Sequence, residues 1–102
     1  MDINKIKLLC EDTTIEVTQH ILKRCQQRKI SYAEIKEVIK NGEIIEEYPD
    51  DYPYPSCLIF GMTIKERVIH VVVGIEENKI WLITAYEPDP VQWDETLKKR
   101  KE

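Results

Sequence analysis

Glycine is scarce in this chain, three residues in 102. That excludes the glycine-rich loops that cradle nucleotide phosphates, since Gly42, Gly61 and Gly74 stand too far apart to form such a fingerprint. Histidine is scarcer still, with only His20 and His70. The three cysteines, Cys10, Cys25 and Cys57, are odd in number and scattered through apolar runs, with no Cys-x-x-Cys and no His-x-x-x-His. Metal-ligand spacing is therefore missing, and the thiols read as reduced, packed side chains. Neither a metal nor a cofactor is expected. No apolar run approaches the roughly 20 residues that cross a bilayer. The opening MDINKIKLLCED is charged and its apolar run is short, unlike a translocation signal. These absences lead to the expectation of a cytoplasmic protein with no membrane association.

What is present suits one α+β domain over residues 1–102, with its centre at about 17–93 and a basic tail at 94–102. The formal net charge is −4, which argues against a general nucleic-acid binder. Its distribution is uneven. No acid occurs from Val17 to Ala33, where Lys23, Arg24, Arg28 and Lys29 fall, while five acids and no base lie between Glu43 and Asp51. Lys98, Lys99, Arg100 and Lys101 add a second basic cluster.

The first third of the chain has helical periodicity. Ile3, Ile6, Leu9 and Cys10 mark a short helix over Ile3–Glu11 behind Asp2. The β-branched TTIEVT that follows favours extended backbone. Thr18 can cap a second helix over Gln19–Arg28, and Thr13 with Glu16 is an alternative start one turn earlier. Ser31 and Glu34 make a capping box for a third helix, with Ile30 and Ile35 at the staple positions and Gly42 at its end, where a left-handed residue is expected. The period then changes to that of strands in EIIEEY, SCLIFGM, RVIHVVVGI and KIWLITAY. The short loops Thr63–Glu66 and Glu76–Asn78 predict hairpins. The expectation is two to three N-terminal helices on one face of a four-stranded, mainly antiparallel sheet, with the other face open and the stretch from Val91 helical or frayed.

Three constellations carry chemistry. His20, Arg24 and Arg28 recur every four residues and form one band on the second helix, with Lys23 beside it. This is either a solvated helix face or a phosphate clamp, because guanidinium groups present paired planar donors. His70 lies on a valine-rich strand near Thr84 and Tyr86. A two-residue turn at Glu77-Asn78 would pair it with Ala85 and a three-residue loop with Thr84. His70 is either a hydrogen-bonded core histidine or an acid–base group. The third is EEYPDDYPYPS, Glu46 to Ser56. Pro49, Pro53 and Pro55 fix φ, lack amide protons and stiffen the segment. It is a rigid connector, or else the rim of a site in which Tyr48, Tyr54 and Ser56 meet a ligand, with Tyr48, Tyr52 and Tyr54 serving as stacking surfaces.

The blocks VTQHILKRCQQRKIS, NGEIIEEYPDDYPYPSCLIFG, VIHVVVGI and WLITAYEPDPVQW occur in this order from Val17 to Trp93. Together they resemble a bacterial family known as domain of unknown function 4258. The layout resembles that of the RelE-type toxin ribonucleases, which implies a RelE/barnase-like α+β fold, RNA as a substrate, and a small antitoxin-like protein as a partner encoded nearby. Cys25 stands where the family often has methionine.

Two function classes follow. The first is a metal-independent endoribonuclease of toxin type. His20 and His70 would be its acid and base, since only imidazoles titrate near neutrality unperturbed. Arg24 and Arg28 would hold the phosphate, with Thr84 and Tyr86 orienting it. The second is a non-catalytic module that binds a protein partner or RNA through its open sheet face. The nuclease needs His20 and His70 to share one water-accessible hollow.

Overall fold

A computed structural model describes residues 1–102. The elements run α1 (Ile3–Leu8), β1 (Ile15–Glu16), α2 (Gln19–Gln27), α3 (Tyr32–Asn41), β2 (Glu43–Tyr48), β3 (Ser56–Met62), β4 (Val68–Ile75) and β5 (Ile80–Tyr86). The class is α+β, as expected. The sheet, however, has five strands in the order β1-β5-β4-β3-β2 and is mixed, because β1 runs parallel to β5. The extended TTIEVT segment supplies that fifth strand, with Ile15 opposite Ile80 and the Thr14 carbonyl accepting from the Ile80 amide. Its partner lies 65 residues further on, out of reach of any local pattern.

Helix ends follow their capping residues. The Asp2 carboxylate accepts from the Asn4 amide at 2.9 Å. The Thr14 hydroxyl donates to the Leu9 carbonyl at 2.7 Å and helps to end α1 short of the expected Glu11. Thr18 caps α2, its hydroxyl accepting from the Ile21 amide at 3.1 Å, so Thr13 is not the cap. At the other end of α2, the Ile30 amide reaches the Cys25 carbonyl and the Lys29 amide the Gln26 carbonyl. This is a Schellman closure with buried Ile30 against Cys25, and Lys29 takes the left-handed position at φ 59°. Arg67 reinforces it by donating to the carbonyls of Lys29 (2.6 Å) and Arg28 (3.2 Å) while pairing with Glu34 and Glu87.

The Ser31–Glu34 capping box of α3 is formed. Gly42 departs from expectation, being extended at φ −88° rather than left-handed. Its glycine is required by proximity instead. A β-carbon there would stand 2.5 Å from the Val38 carbonyl oxygen and 2.7 Å from that of Phe60. Gly61, on β3, faces the same Val38 carbonyl at 2.6 Å. The two glycines let α3 settle against β3.

All three helices lie on one face of the sheet. Ile35, Val38 and Ile39 of α3 and Cys25 of α2 meet Cys57, Ile59, Ile69, Val71, Val73, Ile80, Leu82 and Ala85 in a single buried core. All three cysteines are buried and free. Alternation along β3 and β4 sends Leu58, Phe60, His70, Val72 and Gly74 to the opposite face. No helix is long and apolar enough to cross a membrane.

Candidate functional site

The opposite face is where the expected chemistry was to assemble, and its register is set by a bulge. The β4–β5 turn has two residues, with Ile75 opposite Ile80 and Val73 opposite Leu82. An extra residue, Ile83, then shifts the ladder between Val72 and Val73, so His70 faces Tyr86 and Thr84 faces Val72. Neither sequence-based register anticipated this, because each assumed an unbroken ladder.

The face is half covered. The stretch from Val91, expected to be helical or frayed, folds instead, together with Asp89 and Pro90, as a strap across β2, β3 and β4. Trp93 bridges Arg100, the Asp94 amide donates to the Lys99 carbonyl, and the Lys101 amide to that of Gln92. Asp94 starts the turn by accepting from the amide and hydroxyl of Thr96. Trp93 is only 1% exposed and lies edge-on to His70 at 4.5 Å between ring centres. Lys98 pairs with Glu43 at 2.6 Å and stands 4.9 Å over the Phe60 ring. Arg100 grips the Glu46 carboxylate with two nitrogens, at 3.0 and 3.2 Å, and stands 4.6 Å over the Trp93 ring. The tail is thus a structural element rather than a free basic extension.

His70 is consequently sealed, at 0% exposure. Its Nε2 lies 2.7 Å from the Leu97 carbonyl oxygen, which can only accept, so Nε2 carries the proton. Its Nδ1 faces the Tyr86 hydroxyl at 3.5 Å. Burial lowers the His70 pKa, since the charged form loses hydration, and the Leu97 carbonyl and Glu46 offset only part of that. Burial likewise raises that of Tyr86. The stability consequence has a definite sign. Below the unfolded-chain value of about 6.5 the unfolded state binds a proton that the folded state refuses, so stability falls as pH drops from 7 toward the folded value. Urea unfolding at pH 7 and pH 5.5 should show this loss in the wild type and a flatter response in His70→Gln. Equal slopes would contradict the buried, neutral assignment.

The other expected residues disperse. His20, Lys23 and Arg24 stand exposed on α2, in the helical layer and across the sheet from His70. The two imidazoles do not share a hollow, because the helix carrying one packs on the face opposite the other. Arg28 serves the fold. Its guanidinium donates to the Thr84 hydroxyl at 3.0 Å and to the Ala85 carbonyl at 2.8 Å, on a stretch of β5 that β1 does not reach. Thr84 is thereby occupied. Tyr48 donates to Glu46, and burial pushes its hydroxyl pKa up to about 12. Ser56 is fully buried and donates to Asp51.

Tyr54 is different. Its ring stacks on Trp81 at 6.0 Å and an interplanar angle of 17°, beyond the reach of the strap. Around the pair lies an open hollow of about 340 Å³, with Tyr52, Pro53, Gly74 and Ile83 contributing walls and Asp51 the rim. Tyr52 is 95% exposed. Trp81 Nε1 donates to Glu76 at 3.1 Å, which fixes a second carboxylate against the pair, outside the lining of the hollow. Hydrogen bonds from Tyr54 and Trp81 hold that carboxyl below its usual range. Trp81, Ile83, Asp51 and Glu76 were not anticipated. The bulge that turns Ile83 outward leaves no local signature, although Trp81 does alternate with the buried Ile80 and Leu82.

Comparison with curated proteins and with solved structures gives no match. A family model does match, over residues 17–87, from just ahead of the Thr18 cap to one residue past β5. That stretch contains every wall of the hollow and excludes the strap, and on this match the chain belongs to the family described as domain of unknown function DUF4258.

Proposed function

We propose that this domain is a non-catalytic binding module that engages a protein partner through the uncovered half of its sheet face. One observation carries the reading. A tyrosine that is 95% exposed is presented on a proline-stiffened segment beside a stacked tyrosine–tryptophan pair. Large aromatic side chains held rigid at a surface lose little entropy on binding and supply most of the contact energy in protein interfaces. The prolines thus serve both as connector and as rim. Bare RNA fits this half poorly, because its rim is acidic and a phosphate backbone would be repelled. A ribonuclease relying on both histidines has little support, with one ring sealed and the other across the sheet.

The test is selection of randomised displayed peptides on the immobilised domain, with Tyr52→Ala as control. Tyr52 is almost entirely exposed, so the variant should fold normally. Wild type should enrich a shared sequence pattern, and Tyr52→Ala should bind it about tenfold more weakly, about 1.4 kcal/mol. Enrichment of no pattern, or of one indifferent to Tyr52, would refute the module. Cleavage of a mixed RNA pool that His20→Ala abolishes would favour an enzyme instead.

A further inference from the structure

The strap shows what chemistry this sheet face accepts. Each of two strap cations is held by the same pair of groups, an aromatic ring beneath and a carboxylate beside. Lys98 has Phe60 and Glu43, both of the sheet, and Arg100 has Glu46 of the sheet and Trp93 of the strap itself. The uncovered half repeats those groups without the cation. Tyr54 and Trp81 offer ring faces, and Asp51 and Glu76 offer carboxylates. No lysine, arginine or histidine lines the hollow, and neither Asp51 nor Glu76 is in an ion pair.

Resting on the binding-module reading, we infer that the hollow formed by Tyr52, Tyr54, Trp81 and Ile83 receives a lysine or arginine side chain from a basic segment of the partner protein, with Asp51 and Glu76 as its counter-charges. The chemistry favours this over a purely apolar occupant. A cation over an aromatic face gains electrostatic attraction from the ring, and partial exclusion of water strengthens it. Tyr54 and Trp81 stack nearly parallel, so each ring keeps one face turned away from its partner, over which a long cationic side chain can lie with Tyr52 against its aliphatic stem. The Glu76 carboxylate is held in place by Trp81, so it meets an incoming charge without reorganising. Ile83, 40% exposed, supplies the apolar floor.

The two tryptophans make the test direct, since one sits in each half of the face. The probe is the capped peptide LKKRK, a copy of the basic run in the strap, and its neutral analogue LQQQQ. Both are titrated into the 15N-labelled full chain while the two indole N–H signals are followed. LKKRK should shift the Trp81 signal and leave that of Trp93 in place. LQQQQ should need at least tenfold more peptide for the same shift. The paired change Asp51→Asn and Glu76→Gln should weaken LKKRK by a similar factor, because amides keep the hydrogen-bond acceptors for Ser56 and Trp81 while removing the charge. Movement of Trp93 alone would mean that the peptide displaces the strap, which overturns the assignment to the hollow. Equal effects of LKKRK and LQQQQ at Trp81 would overturn the cation preference yet leave the binding module standing. Absence of any shift at Trp81 overturns the cation inference, and the displayed-peptide selection then decides the module separately.

Discussion

Gly61→Ala should destabilise the domain by about 3 kcal/mol, the upper end of ordinary overpacking. The methyl group would lie 2.6 Å from the Val38 carbonyl oxygen, 2.7 Å from Val38 Cγ1 and 3.1 Å from Asn41 Oδ1. The first of these is backbone in the middle of α3, so it yields only if the helix lifts from β3. Lifting α3 would part Val38 and Ile39 from Ile59, all of them fully buried. For a domain of this length the loss corresponds to a fall in Tm of roughly 10–20 °C. Gly42→Ala should act in the same direction, against the same carbonyl. Gly74→Ala is the control with the opposite sign. Its β-carbon would meet nothing nearer than Ile83 Cδ1 at 3.5 Å, and its backbone is not left-handed. Reduced freedom of the unfolded chain should then leave it unchanged or more stable by about 0.5 kcal/mol. Thermal unfolding of the three variants decides the matter. A Gly61→Ala protein as stable as wild type, or a Gly74→Ala protein as damaged as the others, would refute the close approach of α3.

The second large effect is expected at Trp93. Truncating a buried tryptophan to alanine costs about 3–5 kcal/mol where the surroundings cannot collapse. Here the strap can detach instead, so the loss should sit at the lower bound, about 3 kcal/mol. The more telling change is at His70. Trp93 is one wall of its enclosure and the Leu97 carbonyl, also on the strap, accepts from its Nε2. Once the strap leaves, water reaches the ring and desolvation no longer disfavours the imidazolium. The His70 pKa should therefore rise toward its unperturbed value, about 6.5. In the wild type, folding opposes protonation of His70, and stability declines on acidification below about pH 6.5. In Trp93→Ala that part of the decline should vanish, leaving the loss at lower pH from carboxylates such as Glu34 and Glu87, whose pKa values hydrogen bonds and nearby cations depress. NMR titration of the two imidazoles in both proteins checks this. A His70 signal whose titration is unmoved by the substitution would mean that the strap does not enclose it.

These expectations rest on features that differ in how far they could be read in advance. The Ser31–Glu34 capping box, the Thr18 cap and the four long strands were all legible, because each depends on residues within a few positions of one another. Gly42 was noticed for the wrong reason. A glycine after a helix suggests a left-handed residue, and only the packed structure shows an extended backbone crowded by two carbonyls. The left-handed position fell to Lys29, a residue with no preference for it, because buried Ile30 closes against Cys25. The site was less legible than the fold. Tyr54 was a candidate and lines the hollow, whereas His20 and His70 are parted by the thickness of the sheet.

What the sequence by itself determined is everything that acts over a turn or a strand: the α+β class, the helix caps, the alternation of the long strands and the stiffness of the proline–tyrosine segment. Tertiary structure alone decided that β1 joins β5, that a bulge at Ile83 turns His70 toward Tyr86, and that the basic tail lies across the sheet as a strap. The physical reason is common to all three. Each depends on how one segment pairs with or packs on another rather than on its own residues, and a one-residue slip in a strand pairing exchanges one face of a strand for the other at no cost to local propensity.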